Sequence, residues 1–359
     1  MQLDKIPATV VTGFLGSGKT TLLSRVLQQA AGKRIAVIVN EFGELDIDAN
    51  LLRSCPLDCE DESAASEVDD GIYELANGCI CCTVEEEFLP VMQQLIERRD
   101  DIDHILIETS GLALPKPLVQ AFNWPDIKQY CTVDAVITVV DGPAVAAGRF
   151  ADDEAQVEAQ RQADESLDHD PSLQELLEDQ LSAADLVVVS KNDLLSEEDR
   201  DRVRALVDHK VPQAVKTAYI SNGDTPLDVL MGIQSAAEDR IDEIHNHHDH
   251  HHEHGHHHDH AHDHFDSFVL TLGEVDADKL ASTLTALLEA HSVYRVKGFV
   301  ALPGKPMRQV LQAVGQRLDQ HFDRAWEADE ARLTQLVFIG KDIDEASFKS
   351  ALQSAVVAA

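Results

Sequence analysis

The octapeptide GFLGSGKT, Gly13 to Thr20, fits the pattern G-x-x-x-x-G-K-[ST] and sits between a strand-like and a helix-like stretch,. Its glycines Gly13, Gly16 and Gly18 allow backbone N–H groups to wrap the α- and β-phosphates of a nucleotide at a positive helix end. Lys19 is expected to reach the β- and γ-phosphates, and the Thr20 hydroxyl to hold Mg2+. Ser17 and Thr21 complete the candidate nucleotide-binding set of this loop. Two further stretches agree with it. In HILIETSG (104–111) an apolar run ends in Glu108, whose carboxylate suits the Mg2+ shell, and Gly111 three residues on can donate its N–H to a γ-phosphate. In VVVSKND (187–193) the carboxylate of Asp193 can accept from both N1 and N2 of guanine while the Lys191 stem packs along the base. Adenine offers no such donor pair, so GTP is favoured. Ser190 stands where Asn is more usual in the pattern [NST]-K-x-D, a change expected to weaken base affinity without altering base identity.

Three of six cysteines fall within four positions, Cys79, Cys81 and Cys82, behind Asn77-Gly78. In an extended segment Cys79 and Cys81 project to one face and Cys82 to the other, and Gly78 permits a bend. The chemistries open to such a group are a disulfide, a redox pair, a metal site, or small buried side chains. Cys131, alone before a strand, reads as core filling.

The elements that must position these residues follow from periodicity. Strand-like runs occur at 8–13, 34–40, 104–110, 134–142, 185–193 and 215–221, with helical patterns at 20–30, 86–99, 173–184 and 197–208. Continuous apolar strands alternating with helices predict a parallel sheet covered on both faces, the α/β class of P-loop NTPases. The polar stretch 57–70, with seven acidic residues, reads as a loop,. Residues 245–264 hold 13 of the 18 histidines, interleaved with Asp and Glu, and read as a disordered linker,. Beyond them, a strand at 265–272, a helix at 276–290, a strand at 293–303, an amphipathic stretch at 306–322, a strand in RLTQLVFIG and a closing helix from Asp344 predict a small α+β domain,. The expected boundaries are a GTPase domain over 1–240, a linker over 241–264 and a C-terminal domain over 265–359.

Acidic residues number 65 against 29 basic ones, a formal net charge of −36. That charge repels phosphate backbones and anionic lipid, so neither nucleic acid nor membrane is an expected partner. No apolar run reaches the roughly 18 residues of a membrane span. Met1–Asp4 leads into a strand with no basic-plus-apolar signal, so the expected compartment is the cytoplasm. Reduced thiols follow, which weakens the disulfide alternative.

In order along the chain, GFLGSGKTTLL, VNEFGELDID, ELANGCICCTV, IETSGLALPKP and VVVSKND resemble the CobW family of P-loop metallochaperone GTPases. Glu108 in place of the customary Asp is a mark of that group, and VKGFVAL and FDRAW extend the likeness into the C-terminal domain. The stretches ETSGLALPKPLVQAFNWPDI, DESLDHD and the His-rich linker resemble the family's cobalamin-biosynthesis branch. That likeness implies delivery of Co2+ to cobaltochelatase subunits as the client; other relatives serve Zn2+. It implies a metal site at Cys79, Cys81 and Cys82, with Glu44 of the EFGE run, or Cys55 or Cys59, as a completing ligand. A further family carboxylate has no counterpart, since Val39 occupies its place. Thiolates hold Co2+ and Zn2+ alike, but a closed structural zinc site takes four ligands. An incomplete set suits an ion that is later released. The His-rich run is expected to raise local ion concentration without forming a defined site. Mg2+-GTP is expected to order 41–48 and 108–115 and so to close the metal site. Glu108, or alternatively Glu41, is expected to position the attacking water, with slow intrinsic turnover because no arginine finger lies in these motifs.

Overall fold

The computed structural model describes residues 5–30, 32–40, 72–75, 88–151, 157, 172–212, 214–240, 266–327 and 330–357. The chain divides into two compact units, residues 1–212 with 217–261, and residues 213–216 with 262–359. Among the described residues no helix is long and apolar enough to cross a membrane.

The first sheet contains β1 (Ile6–Thr12), β2 (Ile35–Asn40), β3 (Ile72–Leu75), β4 (His104–Glu108), β5 (Cys131–Asp141), β6 (Leu186–Ser190) and β7 (Lys216–Tyr219), in the order β3-β2-β4-β1-β5-β6-β7. Pairing from β1 through β6 is parallel, with Val10 opposite Ile107 on one side and Val136 on the other. Strands such as HILIE and LVVVS are buried at every position, because helices cover both faces and leave no face for water,. All six expected strand segments fall on observed strands, four of them shortened, while β1 and β5 begin two and three residues earlier than expected.

The helices of this unit are α1 (Lys19–Gln29), α2 (Leu89–Glu97), α3 (Pro115–Ala121), α4 (Pro125–Lys128), α5 (Gly142–Ala146), α6 (Leu173–Ser182), α7 (Glu197–Lys210), α8 (Leu227–Leu230) and α9 (Ala237–Arg240). Their starts are written locally. Proline stands in the first turn of α2 through α5, and Ser172 and Ser196 close capping boxes with Glu175 and Asp199 at α6 and α7,. One core cluster gathers Ile38, Phe88, Met92, Ile107, Phe122 and Cys131. Cys131 is fully buried, and burial pushes its thiol up to about 12.

The second unit builds an antiparallel sheet of β8 (Asp266–Leu272), β9 (Ser292–Val300), β10 (Met307–Val314), β11 (Arg317–Ala325) and β12 (Thr334–Lys341), in the order β11-β10-β9-β12-β8. Helices α10 (Ala277–Ala290) and α11 (Glu345–Leu352) share its core, where Phe338 stacks on Phe268 at 5.3 Å and meets Phe348 edge-on at 5.3 Å. The amphipathic stretch 306–322 is a β-hairpin that turns at Gly315-Gln316, between paired Val314 and Arg317. Gly315 has φ +57°, as the first position of a type II′ turn requires, and this turn decides for two strands,.

Candidate functional site

Parallel pairing brings the carboxyl ends of β1, β2, β3, β4 and β6 to one edge of the first sheet, where open α/β sheets bind ligands,. The loop Gly13–Gly18 leaves β1 there and feeds α1, which starts at Lys19. Gly13 has φ +141°, and a Cβ on it would lie 2.2 Å from the Val139 carbonyl oxygen of β5. Gly16 and Gly18 also have positive φ, at +75° and +94°. The loop thus has an all-backbone concave wall that only glycine can build. Lys19 is 6% exposed and folds back across it, Nζ donating to the carbonyls of Gly13 at 2.8 Å and Phe14 at 3.1 Å. The Ser17 hydroxyl is buried without a protein partner, an orphaned polar atom within the cradle,. Thr21 stands exposed on the outer face of α1.

Glu108 ends β4 beside β1, opposite Val11, and is 7% exposed. Thr20 Oγ1 donates to Glu108 Oε1 at 3.1 Å, with Oε2 at 3.4 Å, so the expected Mg2+ hydroxyl and carboxylate are direct neighbours. The fit to a Mg2+-nucleotide is good: a glycine-walled cradle, a lysine laid along it, and two hard oxygen donors at its end.

The segment after β4 is buried throughout, Thr109 to Ala113. Thr109 N donates to the Val11 carbonyl at 3.0 Å. Gly111 packs on the glycine loop so closely that a Cβ would stand 2.7 Å from Leu15 N. Gln180, on the buried stripe of α6 with Leu176, Leu177 and Leu181, donates Nε2 to the carbonyls of Gly111 at 3.2 Å and Ala113 at 3.1 Å.

The candidate base-reading residues follow β6. Lys191 has φ +55°, a left-handed conformation that sets the turn carrying Asp193, and Asp193 is exposed. Lys191 Nζ donates to Asp141 Oδ2 at 2.6 Å, while Asp141 Oδ1 caps α5 by accepting from Ala144 N at 3.0 Å. Ser190 donates its hydroxyl to the Ser17 carbonyl at 2.6 Å, with the Val140 carbonyl at 3.2 Å. A direct link between the loop after β6 and the glycine loop thus runs through Ser190, which stands in place of the more usual Asn. Sequence reasoning assigned no role to Asp141, Gln180 or this bond. The first was findable, because Asp-Gly-Pro opens a helix with an N-cap. For Gln180 the available sign was a glutamine at an apolar-stripe position of α6. The Ser190–Ser17 bond spans 173 residues and left no local sign.

At the opposite end of β4, His104 is 4% exposed, and its Nε2 lies 2.8 Å from Thr9 Oγ1 and 3.9 Å from Asp134 Oδ2. Burial lowers its pKa to about 4 despite the neighbouring carboxylate, so the imidazole is neutral at pH 7 and the contact is not an ion pair,. Asp134 is held by Gly232 N and Gln234 N, both at 2.6 Å, and Asp185 by Val136 N and Arg240 Nη2, both at 2.9 Å. These contacts anchor the segment 231–240.

Val39, in place of the family carboxylate, is a buried β2 residue opposite Glu108. Glu41, Glu44, Cys55, Cys59, Cys79, Cys81 and Cys82 lie outside the described residues, as does the His-rich run. Among the described residues no group of three His, Cys, Asp or Glu side chains could hold a metal ion.

Two family models match: the CobW/HypB/UreG nucleotide-binding domain over residues 7–217, and the cobalamin synthesis protein cobW C-terminal domain over 265–356. A zinc chaperone CobW of Pseudomonas aeruginosa is 57% identical over 354 residues, 99% of this chain and 92% of that one. A zinc chaperone CobW of a Sinorhizobium species is 49% identical, covering 98% of both chains. The zinc chaperone YjiA of Escherichia coli is 28% identical, covering 97% of this chain and 98% of its own.

Proposed function

The chain belongs to the CobW/HypB/UreG family of P-loop GTPases, and from that premise we propose that it is a GTP-dependent metallochaperone whose cargo is Zn2+. The observation that carries this reading is topological. NEFGE begins at the carboxyl end of β2, and Cys79 follows the carboxyl end of β3 by four residues. Both strands lie on the β4 side of β1, so their carboxyl ends, which the two candidate metal-ligand stretches follow in sequence, lie at the edge that carries the glycine loop and Glu108. A change in phosphate occupancy at Thr20 and Glu108 therefore acts next to the strands from which the cargo ligands emerge. The ligand set is Cys79, Cys81 and Cys82 with Glu44, thiolate-rich and suited to zinc.

In the proposed cycle, Lys19 and the cradle N–H groups hold the β- and γ-phosphates. Thr20 and Glu108 would hold Mg2+ through their oxygens, and the ion would supply charge neutralisation to the leaving phosphates. Gly111 N–H donates to the γ-phosphate, and Glu108, or alternatively Glu41, orients the attacking water. Asp193 and Lys191 select guanine. GTP favours the cargo-binding arrangement of the thiolates, and its hydrolysis releases the ion to a client metalloenzyme in the cytoplasm. Linkage then requires zinc to tighten GTP by the factor by which GTP tightens zinc. The test is a zinc titration with GTP, GDP and no nucleotide, alongside Cys81→Ser. Equal zinc affinity in all three states would falsify the coupling.

A second reading, Co2+ delivered to cobaltochelatase subunits, is supported by the description of the matching C-terminal domain. Thiolates accept both ions. Competition of Co2+ against Zn2+ with Mg2+-GTP present separates the readings, and transfer to apo cobaltochelatase tests the client.

A further inference from the structure

Gln180 is fully buried, its amide reaches across to a loop 69 residues away, and nothing in the P-loop motifs predicts it. Its two contacts define the orientation of the amide. The acceptors are two main-chain carbonyls, Gly111 at 3.2 Å and Ala113 at 3.1 Å, and only the NH2 end has two hydrogens to meet them,. A turned amide would set an oxygen against two oxygens. In the observed orientation Gln180 Oε1 is buried without a partner, a cost the protein retains in order to make the two donations,.

The residue is also held from behind. Thr138 Oγ1 of β5 donates to the Gln180 main-chain carbonyl at 2.8 Å. Gln180 is therefore a strut from β5 to the loop after β4. On the far side of that loop, Gly111 stands against Leu15, with 2.7 Å between Leu15 N and the place of a Cβ. Thr12 Oγ1 contributes a longer bond to the Ala113 carbonyl at 3.5 Å. The backbone of Gly111 is thus clamped between a side chain of α6 and the backbone of the glycine loop.

We propose that Gln180 is a positioning residue for the γ-phosphate: it holds the Gly111 backbone against the glycine loop, so that the Gly111 N–H is in place before GTP arrives. The proposal rests on the reading of Gly111 as a γ-phosphate donor. GDP has no γ-phosphate, so the strut discriminates GTP from GDP, whereas a residue that merely supports the fold would affect both alike. It also opposes a large excursion of 109–113 during the nucleotide cycle. The sequence-based expectation that GTP orders 108–115 therefore does not extend to 109–113, which is buried and hydrogen-bonded without nucleotide. Movement is left to segments that Gln180 does not hold.

The experiment compares the full-length wild type with Gln180→Met, which keeps length and volume without donors, and Gln180→Glu, which sets a carboxylate against the two carbonyls. Affinities for fluorescent GTP and GDP analogues, single-turnover hydrolysis and melting temperature are measured on each. The expected result is a GTP-to-GDP affinity ratio lowered about tenfold and a hydrolysis rate lowered about 10- to 100-fold, with GDP affinity kept. Gly111→Ala controls the underlying reading. If it keeps the wild-type ratio, Gly111 is no γ-phosphate donor and the proposal falls with it. If Gly111→Ala lowers the ratio and both Gln180 variants keep it, the strut alone is wrong. Equal weakening of GTP and GDP in the Gln180 variants also overturns the proposal. A measurement on the wild type is independent of variant folding: amide hydrogen exchange across 109–113 is expected to be slow without nucleotide. Fast exchange there overturns the preset position.

Discussion

Gly111→Ala adds one carbon where the structure has no room for it. The new Cβ would lie 2.7 Å from Leu15 N and 3.3 Å from both Leu15 Cα and the Phe14 carbonyl carbon. Ordinary contact begins near 3.4 Å, so the two backbones must separate by about 0.7 Å,. Neither yields readily. Leu15 sits in a loop whose Ser17 N donates to the Phe14 carbonyl at 3.1 Å, and Gly111 is tethered by Gln180 at 3.2 Å. Overpacking of this kind costs about 1–3 kcal/mol of stability. A displacement approaching 1 Å at a phosphate cradle can lower catalysis about 100-fold. The expected outcome is GTP affinity reduced about 10- to 100-fold, or about 1.4–2.7 kcal/mol, with a smaller loss for GDP. Titration of fluorescent nucleotide analogues beside thermal melting measures both effects. A Gly111→Ala protein that melts cooperatively and binds GTP as tightly as the wild type refutes the reasoning, because a close approach without functional consequence cannot be part of the phosphate site.

Glu108→Gln keeps the shape beside Thr20 but removes the charge, and should lower Mg2+ affinity in the presence of GTP about 10- to 100-fold, read by Mg2+ titration. Asp193→Asn removes an acceptor for the guanine donors and should cost about 1.5–3 kcal/mol of GTP affinity. Its effect on a nucleotide lacking the N2 amino group should be smaller, which competition with ITP measures. His104 has a folded pKa of about 4, below its unfolded value near 6.5, so the folded state binds fewer protons between these values,. Its contribution is present in full above pH 6.5 and is lost as pH falls towards 4, up to about 3 kcal/mol, and urea melts of wild type and His104→Gln at pH 7 and 4.5 should show the variant losing less. Cys131, buried with its pKa pushed up to about 12, should resist alkylation at pH 8 until denaturant unfolds the protein, as peptide mapping would reveal,.

Sequence alone determined the elements whose causes are local. The glycine loop, its lysine and its threonine are contiguous, and the backbone conformations they need are written in residue type. Continuous apolar runs with helices between them dictated a parallel sheet, because such strands are stable only with both faces covered. The end of β4 was legible for the same reason, since Glu108 closes its apolar run, whereas β6 stops at Ser190, short of the expected 185–193. Where local signal was short or divided, the reading stopped. β3 has four residues at the sheet edge, with a glutamate among them, and was not recognised. The hairpin of β10 and β11 read only as an amphipathic stretch, because its period is settled by one turn and by pairing partners far along the chain.

Tertiary structure alone decided what lies beside what. The strand order sets β4 next to β1, and thereby brings the Glu108 carboxylate to 3.1 Å from Thr20, 88 residues away. It also brought Lys191 to Asp141 across 50 residues, Ser190 to Ser17 across 173, and Gln180 to Gly111 across 69. Each of these bonds joins groups of ordinary type whose partner is chosen by packing, and packing has no period along the chain. The candidate chemistry of this sheet edge was therefore proposed from residue types and spacing, while the contacts that hold it rigid exist only in three dimensions.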